Sequence, residues 1–109
     1  MDIKSLSEYD AHDQEVIGYI YHKNLRLLKL FLINGELNFN SVIFFEFNDI
    51  TTQNIIFDIK KYINNCLIPN CIVDRFPTLE FYLRQTTKYD VFYVSSSVGL
   101  DGIIVCSAS

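Results

Sequence analysis

Leu25-Arg26-Leu27-Leu28-Lys29-Leu30-Phe31-Leu32-Ile33-Asn34-Gly35-Glu36-Leu37-Asn38-Phe39-Asn40-Ser41-Val42-Ile43-Phe44-Phe45-Glu46-Phe47 is the stretch whose reading decides the fold. Two apolar runs flank Asn34-Gly35, and these two residue types tolerate the positive φ that both central positions of a type I′ hairpin turn demand. Residues 25–33 and 36–47 therefore read as antiparallel strands. In the second, Ile43, Phe45 and Phe47 fall on one face and Val42, Phe44 and Glu46 on the other. Working outward, residues 15–21 (Glu-Val-Ile-Gly-Tyr-Ile-Tyr) are β-branched and aromatic, which suits a pleated surface, and His22-Lys23-Asn24 turns that strand into the next. The expectation is a three-stranded meander.

Beyond it the pattern changes. Ile55, Ile56, Ile59, Tyr62, Ile63 and Cys66 recur at helical spacing, with Thr51 or Thr52 as an N-cap and Asp58, Lys60 and Lys61 outward. A helix over 54–66 is preferred by a small margin, although Ile-Ile-Phe-Asp-Ile also suits a fourth strand over 54–59. Pro69 closes the segment, and residues 71–73 suit a short strand. Pro77 fits a first helical turn, ahead of Leu79, Tyr82, Leu83 and a Glu80/Arg84 pair, so 77–86 reads as a second helix. Residues 91–96 and 102–107 form a closing hairpin around Gly99-Leu100-Asp101-Gly102. Residues 1–13 read as a short helix or an arm. The fold class expected is α+β: an antiparallel sheet, made of a meander and a C-terminal hairpin, carrying one or two short helices.

A chain of 109 residues without a repeat, a low-complexity tract or a Pro/Gly/Ser linker is expected to form one globular domain over 1–109. Half of its residues are hydrophobic, enough to offset the entropy of ordering it. Its longest apolar runs are far shorter than the ~20 residues needed to cross a bilayer. The first ten residues lack the basic and apolar regions of a secretory signal, and three cysteines cannot all pair within one chain. A reducing, cytoplasmic setting with buried thiols is expected. The net charge of −4 disfavours nucleic acid and anionic membranes as partners and leans toward a basic protein.

Recognisable chemistry is sparse. His12 and His22 have no fixed spacing to a carboxylate or nucleophile. Cys66 and Cys71 are separated by four residues with no further ligand nearby, so neither a metal nor a cofactor is expected. Ser95-Ser96-Ser97-Val98-Gly99 lacks the glycine that precedes the serine in a nucleophile elbow, and Gly18, Gly35, Gly99 and Gly102 compose no phosphate-binding loop. No catalytic residue is assigned. The strands do hold a surplus: Leu28, Leu30 and Leu32 alternate with Leu27, Phe31 and Ile33. A second face so apolar is either covered by another layer or left as an interaction patch.

The His12-Asp13 entry into the first strand, the meander to Phe47, the Gln53-Asn54-Ile55-Ile56 segment and the closing Phe92-Tyr93-Val94-Ser95-Ser96-Ser97-Val98-Gly99 hairpin together resemble small bacterial immunity proteins. Those proteins neutralise toxin domains of contact-dependent inhibition and other polymorphic toxin systems. The resemblance implies an inhibitor that is not itself an enzyme and that occludes the active site of one cognate toxin, often a nuclease. Against a basic toxin, carboxylates would stand in for substrate phosphates. Candidate partner-binding residues at loops or strand ends are Asp10, Asp13, Glu36, Asp49, Asp90 and Asp101, with Tyr9, Tyr21 and Tyr89 as anchors. The competing expectations are a structural subunit that buries its apolar face by self-association and a small enzyme built on His12 or His22.

Overall fold

The computed structural model describes residues 14–63, 68–84 and 88–107. It is α+β, with strands β1 (Val16–His22), β2 (Leu27–Leu32), β3 (Gly35–Phe39), β4 (Val42–Asn48), β5 (Ile55–Tyr62), β6 (Tyr89–Val98) and β7 (Asp101–Ser107). Helices α1 (Asn70–Arg75) and α2 (Leu79–Leu83) lie between β5 and β6. Two antiparallel sheets form, β1-β2-β3 and β4-β7-β6-β5. The second has Greek-key order, its first strand returning beside its last.

The sheets face one another across a core of Leu28, Leu30, Leu37, Phe39, Ile56 and Ile104. On the far face of the four-stranded sheet the helices bury Ile72, Phe76 and Leu79 against Val91, Ile103 and Val105. Strand β7 is thus covered on both sides, and Asp101 to Cys106 are all buried. A strand so placed must be apolar without alternation, as Ile103-Ile104-Val105-Cys106 is. Layering therefore absorbs the surplus on the second sheet, with helices on one side only. The outer face of the first sheet, with Ile20 exposed and Leu27 and Phe31 half-buried, has no cover among the described residues.

Several expectations are corrected. The strand read over 36–47 is two strands in different sheets, because Ser41 takes a left-handed φ of 57° and turns the chain between layers. Its face assignment also shifts: a bulge between Val42 and Phe44 puts Val42 on the inter-sheet side with Phe45 and Phe47, and turns Ile43 and Phe44 to the helices. The strand read from residue 25 begins at Leu27, since residues 23–26 form the turn and Arg26 has φ 50°. The β2–β3 hairpin is present, but Leu32 pairs with Gly35, so the turn residues are Ile33 and Asn34, and neither Asn34 nor Gly35 has positive φ.

Residues 55–62 are strand β5, not helix. Bulges between Ile55 and Asp58 let Ile56 and Ile59, three apart, face the same core, and this imitates helical spacing. Residues 71–73 belong to α1, which Pro69 precedes as N-cap. Pro77 lies just outside α2, whose described turns end at Leu83; Glu80 and Arg84 do form the expected ion pair. The closing hairpin stands as read, with longer arms. Residues 1–13, Cys66 and the end of the 77–86 reading lie outside the described residues.

Candidate functional site

Gln14 to Val16 belong to both sheets. The Val16 N–H donates to Asn54 O (2.7 Å) and the Ile56 N–H to Gln14 O (3.0 Å), joining the segment to β5, while the Ile33 N–H donates to Glu15 O (3.1 Å) from the other sheet. To pass from one sheet to the other, β1 bulges between Val16 and Gly18, and the extra residue, Ile17, is 63% exposed. A bulge re-aims side chains in this way.

Opposite it runs the β4–β5 connection, which crosses the end of the β6–β7 hairpin. Asn54, only 8% exposed, organises that crossing. Its Oδ1 accepts the Thr51 and Leu100 N–H groups (both 3.0 Å), and its Nδ2 donates to Thr51 O (2.8 Å). The Thr51 hydroxyl donates to Gln53 O (2.7 Å). Gly99 completes the corner with φ +81°, and a Cβ there would strike Asn54 Oδ1 and Gln53 O. Glycine is required on both counts.

Between these walls lies a cleft of ≈ 320 Å³. Residues 15–19 form one side, Ile50, Thr51, Thr52 and Asn54 the other, with buried Val16 and Leu100 at its base. Its rim is apolar, since Ile17, Ile50 (53% exposed) and Tyr19 (43% exposed) all stand open. Tyr19 is braced edge-on by Phe47 (5.0 Å between centroids) and Phe45 (5.9 Å), a geometry in which ring quadrupoles attract. Asn54 and Thr51 spend their polar atoms within the loop. Glu15 is the one carboxylate in the lining, and it forms no ion pair among the described residues.

Of the partner-binding residues expected from sequence, those described do not line this cleft. Tyr9, Asp10 and Asp13, and likewise His12, lie outside the described residues. Tyr21 is half-buried, its hydroxyl donating to Val42 O (2.9 Å). Glu36 pairs with Lys29 across β2–β3 (3.7 Å) and accepts from Asn38. Asp49 and Asp101 share Arg75 of α1, at 3.0 and 2.5 Å. Asp101, 7% exposed, also accepts from the Ser96 N–H (2.9 Å) and hydroxyl (3.0 Å), so it ties the hairpin and the helix together. Tyr89 packs edge-on against Tyr82, and Asp90 stands opposite Cys106, at the far end of β6 from Asp101.

Burial, aided by Asp101, pushes the Tyr93 phenol above its ordinary range. Burial, aided by Asp90, pushes the Cys106 thiol up to about 12. The expectation of buried thiols fits Cys106 but not Cys71, which is exposed. His22 is exposed at the end of β1. Among the described residues no group of three or more His, Cys, Asp or Glu is placed to hold a metal, and no helix is long and apolar enough to cross a membrane.

Sequence reasoning missed Glu15, Ile17, Ile50 and Asn54 as a group. Their one local signal is an isoleucine in the polar stretch Asn48-Asp49-Ile50-Thr51-Thr52. Comparison with known proteins adds no relative. No family model matches the chain, and no curated protein or solved structure matches it significantly.

Proposed function

We propose that this chain works by binding a protein, with the cleft and its apolar rim as the docking surface. We further propose that the partner is a cognate toxin, neutralised by occlusion as in the immunity proteins that the sequence resembles. The observation that carries the docking surface is the convergence of Ile17, Tyr19 and Ile50, all open to solvent, around one concavity whose walls are hydrogen-bonded into place. Scattered apolar side chains are ordinary on a surface; clustered ones around a recess suit recognition.

The chemistry of the recess favours a protein side chain over a small polar molecule. Small-molecule sites orient their ligands with several convergent polar groups, whereas here the buried amide of Asn54 is consumed by the loop. A bulky apolar anchor would gain ~25 cal/mol for each Å² it buries. The loop wall is already held by its hydrogen bonds, so docking costs little further ordering of this chain's backbone. Occlusion by acidic mimicry has less support, because Glu36, Asp49 and Asp101 already pair with cations of the chain itself.

The test is co-expression with the product of the neighbouring gene, which this reading expects to be a toxin. The wild-type chain should restore growth and co-purify with the toxin. Ile50→Asp and Ile17→Asp should weaken the complex more than tenfold, at about 1.4 kcal/mol per decade of affinity, with unchanged circular dichroism. A neighbour that stays toxic and fails to co-purify removes the toxin reading; an undiminished Ile50→Asp complex removes the docking surface.

A further inference from the structure

Resting on that docking surface, we infer that Glu15 selects the occupant of the cleft: a partner segment that presents a bulky apolar side chain next to a lysine or arginine. Four other described carboxylates, Glu36, Asp49, Glu80 and Asp101, are neutralised by cations within the chain. Glu15 has no such cation among the described residues, and no basic residue lines the cleft. Its backbone is held from both sides, bridged to Ile55 of β5 and accepting the Ile33 N–H, so the carboxylate projects from a fixed point.

The consequence is a filter with both signs. An apolar segment seated across the cleft strips water from Glu15, and a carboxylate desolvated without a partner is costly. A cation beside the anchor supplies the missing hydrogen bond and turns that penalty into attraction. An acidic neighbour would meet both desolvation and repulsion. Specificity of this kind rests on the rejection of wrong partners as much as on contacts with the right one. The net charge of −4 strengthens the preference at longer range.

The full chain, labelled with 15N, tests this against two capped tetrapeptides, acetyl-Gly-Phe-Lys-Gly-amide and acetyl-Gly-Phe-Glu-Gly-amide, at millimolar concentration and low salt. The lysine peptide should move the amides of Gly18, Tyr19, Thr51 and Leu100 and bind about tenfold more tightly than the glutamate peptide. Added salt should narrow that gap, and Glu15→Gln should abolish it. The inference is overturned if neither peptide moves these amides, if both bind alike, or if the preference survives in Glu15→Gln. It is also overturned if dilution alone moves the amides, which would give the cleft to a second copy. A Glu15→Gln chain that neutralises the toxin fully while Ile50→Asp does not would keep the docking surface and remove the role of Glu15.

Discussion

Replacing Asn54 with alanine removes a side chain that makes three hydrogen bonds from a nearly solvent-free position. The Leu100 N–H, in a buried bond, and the Thr51 N–H, half-buried, lose their acceptor, and the Thr51 carbonyl loses a donor. At about 1 kcal/mol for each bond lost, and more where the stranded group stays dry, the substitution should cost ~3 kcal/mol. With an unfolding entropy of ~2.1 cal/mol/K per residue over a chain of this length, that is a fall in Tm of ~13 °C. Thermal unfolding followed by circular dichroism, paired with urea titration, measures it. Exposed Gln53, whose side chain makes no bond in the loop, is the control, and its alanine variant should stay within ~0.5 kcal/mol of wild type. If Asn54→Ala lowers Tm by less than ~3 °C, water replaces the amide freely and the loop is not held by it. The cleft would then lose its fixed wall.

Two further outcomes follow from the buried ionisable groups. Cys106 has its thiol raised from 9.0 to about 12, so above pH 9 the unfolded chain releases a proton that the folded chain keeps. Stability is then full below that pH and falls on the alkaline side by ~1.4 kcal/mol per pH unit; urea midpoints of Cys106→Ala should be lower at neutral pH but decline less steeply above 9.0. Arg75→Ala leaves Asp101 buried with only its Ser96 bonds, and should cost ~1–2 kcal/mol, the guanidinium being partly solvated. Asp49→Ala, at the exposed end of the same cluster, should cost less than ~1 kcal/mol, and equal urea midpoints for the two variants would refute the division.

The sequence is legible where one period runs uninterrupted. Strand β2 alternates without a break and β7 holds an unbroken apolar run, so local pattern is enough to find them, while β1 is found by its β-branched and aromatic content despite its bulge. It misleads where a bulge resets the period. In β5 the inward Ile56 and Ile59 are separated by three residues, which mimics a helix; the bulge at Ile43 swaps the faces assigned to β4. The break at Ser41 carries no glycine or proline to announce it, and its left-handed φ is set by the two sheets that it joins. The candidate site is harder still, because it joins residues 15–19, 50–54 and 100, which only the Greek-key crossing brings together. Acidic residues at loops and strand ends suit a cation, but for Glu36, Asp49 and Asp101 the chain supplies that cation itself, a pairing that no spacing reveals.

Because the run from Gln14 to Val16 is hydrogen-bonded to Asn54 and Ile56 on one side and to Ile33 on the other, it cannot settle until stretches well downstream have taken shape. Its contacts with residues 54–56 span about forty positions, and loop closure over such distances slows the search for the native state. During synthesis this segment leaves the ribosome ahead of its partners and waits with its main-chain groups unmet, a condition in which extended segments are prone to pair with the wrong neighbour. The same seam that gives the mature fold its recess keeps the run from Gln14 to Val16 unpaired until β5 has formed, and dilution during that wait favours the correct partner.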